Sequence, residues 1–113
     1  MIRLSPSSSQ AAAITAFVLV LVGCSSNESA QRGQELFDLH CAACHEGPTP
    51  DLKKQPPRLE HLFAAKQLPS GVPATDAQVR KTIVEGLRTM PAFDKRLNEQ
   101  ELDDLVAYLH TLN

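Results

Sequence analysis

The segment Cys41-Ala42-Ala43-Cys44-His45 limits what this chain can fold into more than any other feature of its sequence. Residues three and four apart lie on one face of a helical turn, so both thiols and the imidazole can meet a single flat ligand. Cys-x-x-Cys-His is the attachment motif of c-type haem, in which the thiols form thioethers with the vinyl groups and the imidazole ligates the iron. The motif occurs once. We therefore predict one covalently attached haem c.

Three other interpretations of the two cysteines stay open. A redox-active Cys-x-x-Cys pair usually begins a helix within a βαβ unit, and the sequence shows no alternation of strand and helix patterns. A zinc site would need a further pair of soft ligands, and the sequence has no second cysteine pair. A disulfide between Cys41 and Cys44 would leave the adjacent His45 unexplained. The complete pentapeptide favours haem.

The N-terminal segment predicts export from the cytoplasm. Residues 11–22 carry no charge. They are too few to span about 30 Å of hydrocarbon as a helix, but they suit the apolar region of a signal peptide. The residues Leu21-Val22-Gly23-Cys24 resemble a bacterial lipobox, in which the chain is cut before the cysteine and that cysteine is acylated. The predicted parts are a lipoprotein signal peptide at residues 1–23, a lipidated Cys24 with a flexible tether at residues 24–30, and a domain at residues 31–113.

The lipobox resemblance also implies a location. Acyl chains on Cys24 would hold the protein on a membrane without a transmembrane helix. We therefore expect an extracytoplasmic, membrane-anchored lipoprotein on the periplasmic side. Ser25 and Ser26, with no aspartate after the cysteine, resemble the proteobacterial pattern for the outer membrane. The alternative is an ordinary signal peptide or a short uncleaved anchor, with Cys24 incidental.

Met90 is the predicted sixth ligand of the iron. It is the only methionine besides Met1, and it precedes Pro91. A residue before proline is disfavoured in the α region, so Met90 should lie on extended backbone in a stiff loop. The alternative is that its side chain fills a gap in the core. The competing ligands are the other histidines, His40, His61 and His110.

Composition indicates one small domain with an unusual core. The chain has 113 residues, a formal net charge of −2, 4% aromatic residues and no tryptophan. Its length fits a single domain, and its charge gives no basic excess of the kind that binds nucleic acid. So few aromatic side chains are consistent with a core that is filled partly by a cofactor.

Periodicity predicts an all-α fold of three to four helices around the haem. A first helix should run over about residues 30–44 with Ser29 as its cap, and a short second helix should include Leu59, Leu62 and Phe63. Capping patterns predict a third helix over about residues 76–86 and a fourth from Asn98 to the C-terminus. No alternating run is long enough for a sheet.

Residues 31–113 resemble a class I cytochrome c of the small bacterial single-haem type. The resemblance is carried by the haem motif and the Met90 loop, and also by Gly33 and Phe37 on the first helix and Leu105 and Tyr108 on the last. In that family the two helices cross closely at the glycine, against an aromatic residue. The resemblance also implies that Pro57 offers its carbonyl to the second nitrogen of His45 and so orients this ligand.

The resemblance implies an electron carrier rather than an enzyme. With iron ligated by His45 and Met90, the protein would shuttle single electrons between membrane-linked redox proteins. The alternatives are a haem subunit of a larger dehydrogenase or oxidase, a haem peroxidase or gas sensor with a labile sixth ligand, and a haem-free lipoprotein. The basic residues Lys53, Lys54 and Arg58 are either a docking site for an acidic partner or an ordinary solvated loop.

Overall fold

The computed structural model describes residues 2–3 and 24–112. The predicted all-α fold is confirmed: these residues contain no β-strand beyond two isolated bridges, Gln67 with Pro73 and Leu87 with Met90. The helices in chain order are α1 (Cys24–His40), α2 (Ala42–His45), α3 (Asp76–Glu85) and α4 (Glu99–Leu109).

The predicted signal peptide lies almost entirely outside the described residues, and the apolar run at residues 11–22 is wholly outside them. Of the helices that the structure describes, none combines the length and the apolar character needed to cross a bilayer. The predicted signal peptide and its boundary with the rest of the chain therefore stay predictions.

Helices α1 and α4 cross in direct contact, and Gly33 makes this possible. A Cβ atom at Gly33 would lie 1.9 Å from the backbone oxygen of Asp104 and 2.8 Å from Cβ of Tyr108. Both distances are far inside van der Waals contact, so only glycine fits. One turn later the ring of Phe37 packs on the ring of Tyr108, with centroids 5.3 Å apart. The expected close crossing of α1 and α4 is therefore present. It positions the C-terminal end of α1, after which Cys41 follows directly.

Helix α1 begins earlier than predicted. It starts at Cys24, so residues 24–30, predicted to be a flexible tether, are helical. Ser29 does not cap the helix but lies inside it, and its hydroxyl donates a 2.5 Å hydrogen bond to Asp104 of α4. Arg32 donates to both carboxylate oxygens of Asp104, at 2.8 and 3.2 Å. These contacts join residues more than 70 positions apart, and sequence periodicity does not reveal them.

The short second helix predicted around Leu59, Leu62 and Phe63 is wrong, because this segment forms turns. His61 has a φ of 61°, a left-handed conformation that interrupts an α-helix. The N–H of His61 donates to the carbonyl of Leu112 at 2.6 Å. This contact with the chain that follows α4 fixes the path of the segment.

The predicted starts of α3 and α4 are confirmed by cap hydrogen bonds. The Thr75 hydroxyl accepts from the N–H of Gln78 at 3.3 Å. The Asn98 side chain accepts from the N–H of Glu101, and the Glu101 carboxylate accepts from the N–H of Asn98, which closes a capping box. Gly86 ends α3 with a φ of 73°, as its place after the apolar repeat predicts.

The hydrophobic core is centred on α4, which supplies four of its buried side chains, while α1, α3 and the connecting segments supply the others. Phe37 and Leu105 are its largest fully buried side chains. Helix α4 supplies the predicted apolar stripe but ends at Leu109, so Leu112 packs on the core from outside the helix. The buried hydrophobic residues are Phe37, Leu68, Val79, Ile83, Phe93, Leu97, Leu102, Leu105, Val106 and Leu109.

Candidate functional site

The two cysteines and the histidine of the motif lie on one tight turn at the junction of α1 and α2. Cys41 is the residue between the two helices, with a φ of −121°. Its carbonyl accepts hydrogen bonds from the N–H groups of Cys44 and His45, at 3.1 and 3.0 Å, and its own N–H donates to the carbonyl of Phe37 at 2.8 Å. The motif is thus wound as a single turn that continues directly from α1.

The two thiols differ in their surroundings. Both are free, but Cys41 is half-buried against the core, whereas Cys44 is exposed. Burial, together with the nearby Cys44, raises the pKa of Cys41 to about 11, so this thiol is protonated at neutral pH. A ligand bonded to both sulfurs would have one edge against the core and the other at the surface.

His45 is oriented by a backbone carbonyl. Its Nδ1 lies 2.7 Å from the carbonyl oxygen of Pro57. A carbonyl can only accept a hydrogen bond, so Nδ1 carries the proton, and the neutral ring keeps its lone pair on Nε2. Metal-ligating histidines are usually held in this way, with one nitrogen donating to an oxygen and the other facing the metal. The contact that the resemblance implies between Pro57 and His45 is therefore present.

The loop that carries Pro57 is braced by Gln55, a residue that the sequence did not single out. The Gln55 side-chain oxygen accepts from the N–H and the hydroxyl of Thr49, at 2.9 and 2.7 Å. Its amide group donates to the carbonyl of Thr49 at 2.8 Å. These bonds close the loop between the haem motif and Pro57. No sequence pattern predicts these hydrogen bonds, because they depend on the path of an irregular segment.

Arg58 ties the same loop to the end of α2. Its guanidinium donates to the carbonyl of Glu46 at 3.1 Å and pairs with the Glu60 carboxylate at 2.7 Å. This pairing lowers the pKa of Glu60 to about 2. The charge of Arg58 is thus offset by a neighbour, although its side chain is exposed like those of Lys53 and Lys54.

Met90 lies outside the helices, in a turn that holds it firmly. Its N–H donates to the carbonyl of Leu87 at 2.9 Å, and its carbonyl accepts from the N–H of Leu87 at 3.1 Å. A Cβ atom at Gly86 would lie 2.6 Å from the Met90 carbonyl oxygen. The Met90 side chain is half-buried and packs on the same core as Cys41. The structure therefore places the thioether and the first thiol of the motif against one common core.

Two of the three other histidines have ring contacts elsewhere in the fold. The His40 ring meets the ring of Phe93 edge-on, with centroids 5.7 Å apart. His61 is exposed in its left-handed turn. His110 stacks on Phe63 with centroids 3.8 Å apart, and its Nε2 lies 2.7 Å from the Asp76 carboxylate. The rings of His40 and His110 are thus engaged by Phe93 and by Phe63 and Asp76.

The donor set fits a haem c better than a bare metal ion. Within residues 2–3 and 24–112, no group of three or more His, Cys, Asp or Glu side chains is arranged to hold a metal. The structure instead offers two free thiols on one turn, an imidazole with its lone pair on Nε2, and a soft thioether against the same core. A small cleft beside the imidazole is lined by the apolar residues Phe37, Leu59 and Leu112 and by the acidic residues Glu46 and Glu60.

Comparison with known proteins identifies the family. Residues 28–109 match the family model described as cytochrome c oxidase, cbb3-type, subunit III. The chain belongs to the cytochrome c family. It is 34% identical over 79 residues to cytochrome c6 from Bryopsis maxima, a match that covers 68% of this chain and 84% of that protein. The structure resembles that of cytochrome c6 from the diatom Phaeodactylum tricornutum, with a TM-score of 0.57, 29% identity, and coverage of 73% of this chain and 91% of that one.

Another relative is a longer protein. The cytochrome bc1 complex cytochrome c subunit from Corynebacterium diphtheriae is 32% identical over 79 residues, a match that covers 69% of this chain. The chain spans about a quarter, 25%, of the length of that relative.

Cytochromes c carry covalently attached haem c, and this is the cofactor that the Cys-x-x-Cys-His motif predicts. Cys41 and Cys44 would hold it through thioethers and His45 would ligate its iron, with the thioether of Met90 as the candidate for a second ligand. When bound, the haem supplies a one-electron couple between Fe(II) and Fe(III). This chain supplies the orientation of the imidazole through Pro57 and an apolar core on which Cys41 and Met90 pack. Cys24, the predicted lipidation site, begins α1, but its side chain lies outside the described residues.

Proposed function

We propose that this cytochrome c is a single-electron carrier whose iron is ligated by His45 and Met90. The observation that carries the proposal is the 2.7 Å contact between His45 Nδ1 and the Pro57 carbonyl. It sets the tautomer that an iron-ligating imidazole needs and would keep the ring in one orientation in both oxidation states. An electron carrier benefits from such a fixed ligand, because its oxidation state then changes with little rearrangement.

The surroundings of Met90 support its role as the second ligand. The reciprocal hydrogen bonds with Leu87 and the close approach of Gly86 fix the backbone at this residue, while the side chain packs on the core. A soft thioether favours the reduced iron and raises its potential relative to two imidazoles. With both axial positions filled, the iron would exchange electrons without binding a substrate.

Optical spectra of the purified protein in both oxidation states, together with its denatured mass, test this proposal. We expect covalent haem, a low-spin iron and the charge-transfer band of thioether ligation in the oxidised form. Met90→Ala should lose that band and let the ferrous protein bind carbon monoxide. Thr89→Ala, an exposed neighbour in the same turn, is the matched control and should behave like the unmodified protein. Rapid carbon monoxide binding by the unmodified protein would refute the carrier function and favour a peroxidase or a gas sensor.

We further propose that the protein works outside the cytoplasm, anchored to a membrane by lipid on Cys24. The support is the lipobox resemblance at residues 21–24 and the uncharged run at residues 11–22, which suits the apolar region of an export signal. Its partners would then be membrane-linked redox proteins. The intact mass of the mature protein should show an acylated N-terminal cysteine, and Cys24→Ala should release the haem protein from membranes. A mature protein of unmodified mass that stays in the soluble fraction would refute the anchor.

The comparisons favour a second candidate, a haem subunit of a larger complex. The matching family model describes an oxidase subunit, and one relative is named as a subunit of the cytochrome bc1 complex. Native gels of solubilised membranes, stained for haem, separate the two candidates. A carrier should migrate near its own mass, whereas a subunit should migrate with its complex.

A further inference from the structure

One continuous helix links the predicted anchor to the haem-attachment turn. Helix α1 runs from Cys24 to His40, and Cys41 follows directly. At about 1.5 Å per residue, the 16 steps from residue 24 to residue 40 span about 24 Å. A helix keeps this length, whereas a polar coil would let the distance between anchor and domain vary.

The N-terminal half of α1 is also fastened to α4, by hydrogen bonds and an ion pair to Asp104 and by close packing. Asp104 of α4 is 2% exposed, and it accepts hydrogen bonds from the Ser29 hydroxyl and from Nε and Nη2 of Arg32. Gln100 adds a further bond to Asp104 at 3.0 Å. Because Gly33 lies against the Asp104 backbone, α1 is held on α4 both by charge and by packing. Only the first few residues after Cys24 extend beyond this fastening.

We propose that α1 is a rigid spacer that holds the haem-attachment turn within about 24 Å of the acylated residue. This inference rests on the proposed acylation of Cys24. A haem held so close to the bilayer meets proteins whose electron-exchange surface also lies close to the bilayer. The redox partner that we propose on this basis is a membrane-bound protein whose electron-exchange surface lies at a similar distance from the bilayer.

The distance is measured with the lipidated holoprotein on phosphatidylethanolamine vesicles labelled at the headgroup. Time-resolved energy transfer from the label to the haem should give one narrow distance distribution. Inserting Gly-Ser-Gly-Ser between Glu28 and Ser29 should widen it and extend it by up to about 14 Å. The same insertion after Ser70, in an exposed loop, is the matched control. An equally broad distribution in the unmodified protein would overturn the spacer.

Hydrogen exchange tests the fastening independently of the membrane. Amides of residues 28–32 should be protected in the unmodified protein, and Asp104→Asn should speed their exchange about tenfold or more. Asp103→Asn is the matched control, because Asp103 is the neighbouring residue but pairs with Arg80 of α3 instead of α1. Unprotected amides in an acylated protein would overturn the spacer alone. An intact mass without acyl groups would overturn the anchor instead, and the spacer with it.

The partner is tested in membranes isolated from the source organism. Reduction of the haem by these membranes should slow at least severalfold when the insertion follows Glu28 but not when it follows Ser70. Reduction by a small soluble reductant such as ascorbate should be equal in all three proteins. If the membranes reduce all three proteins at equal rates, electron transfer from the partner does not depend on the distance between haem and bilayer. This result would refute the inference about the location of the partner.

Discussion

Replacing Asp104 with asparagine should make the protein less stable at neutral pH but change its stability little in acid. The carboxylate is almost completely buried and binds Ser29, Arg32 and Gln100. Asparagine keeps one acceptor, but it turns an amide donor toward groups that also donate. Because the two side chains have nearly the same volume, the substitution removes the charge and leaves the packing almost unchanged.

The magnitude follows from the pKa of this group. The Arg32 guanidinium, with the other donors, lowers the pKa of Asp104 from 3.8 to about 2. At about 1.4 kcal/mol per pKa unit this corresponds to roughly 2 kcal/mol of stability. Arg32 is half-exposed, so solvent screening reduces the expected loss to about 1–2 kcal/mol. Because the folded pKa is the lower one, this stabilisation is full above about pH 4 and disappears as the pH falls to about 2.

Urea unfolding of the holoprotein, followed by far-UV circular dichroism between pH 7 and pH 2, measures this difference. The unmodified protein and Asp104→Asn should differ by about 1–2 kcal/mol at pH 7 and should converge below pH 4. Glu60, which Arg58 shifts in the same direction, titrates in both proteins and cancels. Asp103→Asn should stay within about 0.5 kcal/mol of the unmodified protein at every pH. Parallel curves that keep a constant separation down to pH 2 would refute the assignment of the effect to the Asp104 charge.

Three further substitutions test the packing and the caps by thermal unfolding. Gly33→Ala should lower the free energy of unfolding by about 3 kcal/mol or more, because its Cβ would meet the α4 backbone. Gly47→Ala is the control and should be nearly neutral, because a Cβ at Gly47 has no heavy atom within 4 Å. Equal effects of the two substitutions would contradict the close helix crossing. Gly86→Ala should lower the free energy of unfolding more than Gly71→Ala, because both glycines have a positive φ but only a Cβ at Gly86 would also clash with the Met90 backbone. Of these two variants, only Gly86→Ala should alter the spectrum of the haem. Asn98→Ala should lower the free energy of unfolding by about 1 kcal/mol, because it removes the capping box of α4. An unchanged melting temperature would show that the box does not form in solution.

Sequence reasoning succeeded where structure is set by neighbours along the chain. The starts of α3 and α4 were predictable because an N-cap side chain bonds an N–H only three residues later, as at Thr75 and Asn98. The stop at Gly86 was predictable for a similar reason, since its φ of 73° is easy for glycine alone. The turn of the haem motif is equally local, and its residue types define the chemistry of attachment.

Sequence reasoning failed where a distant residue decides the local conformation. The pattern at Leu59, Leu62 and Phe63 suits a helix, but His61 adopts a left-handed conformation while bonded to the chain after α4. The early start of α1 has the same origin, because its first turns are stabilised by a carboxylate on α4.

The sequence by itself determined the helical class, the caps and the set of groups able to hold a haem, because these depend on residue type and on spacing within one or two turns. Only the tertiary structure decided that Asp104 fastens the start of α1, that Gln55 braces the Pro57 loop and that Met90 packs on the same core as Cys41. Such contacts join residues that are far apart in the chain or that lie in irregular loops. Their energies appear only when the folded chain brings the partners together, and no local pattern encodes which partner a side chain will meet.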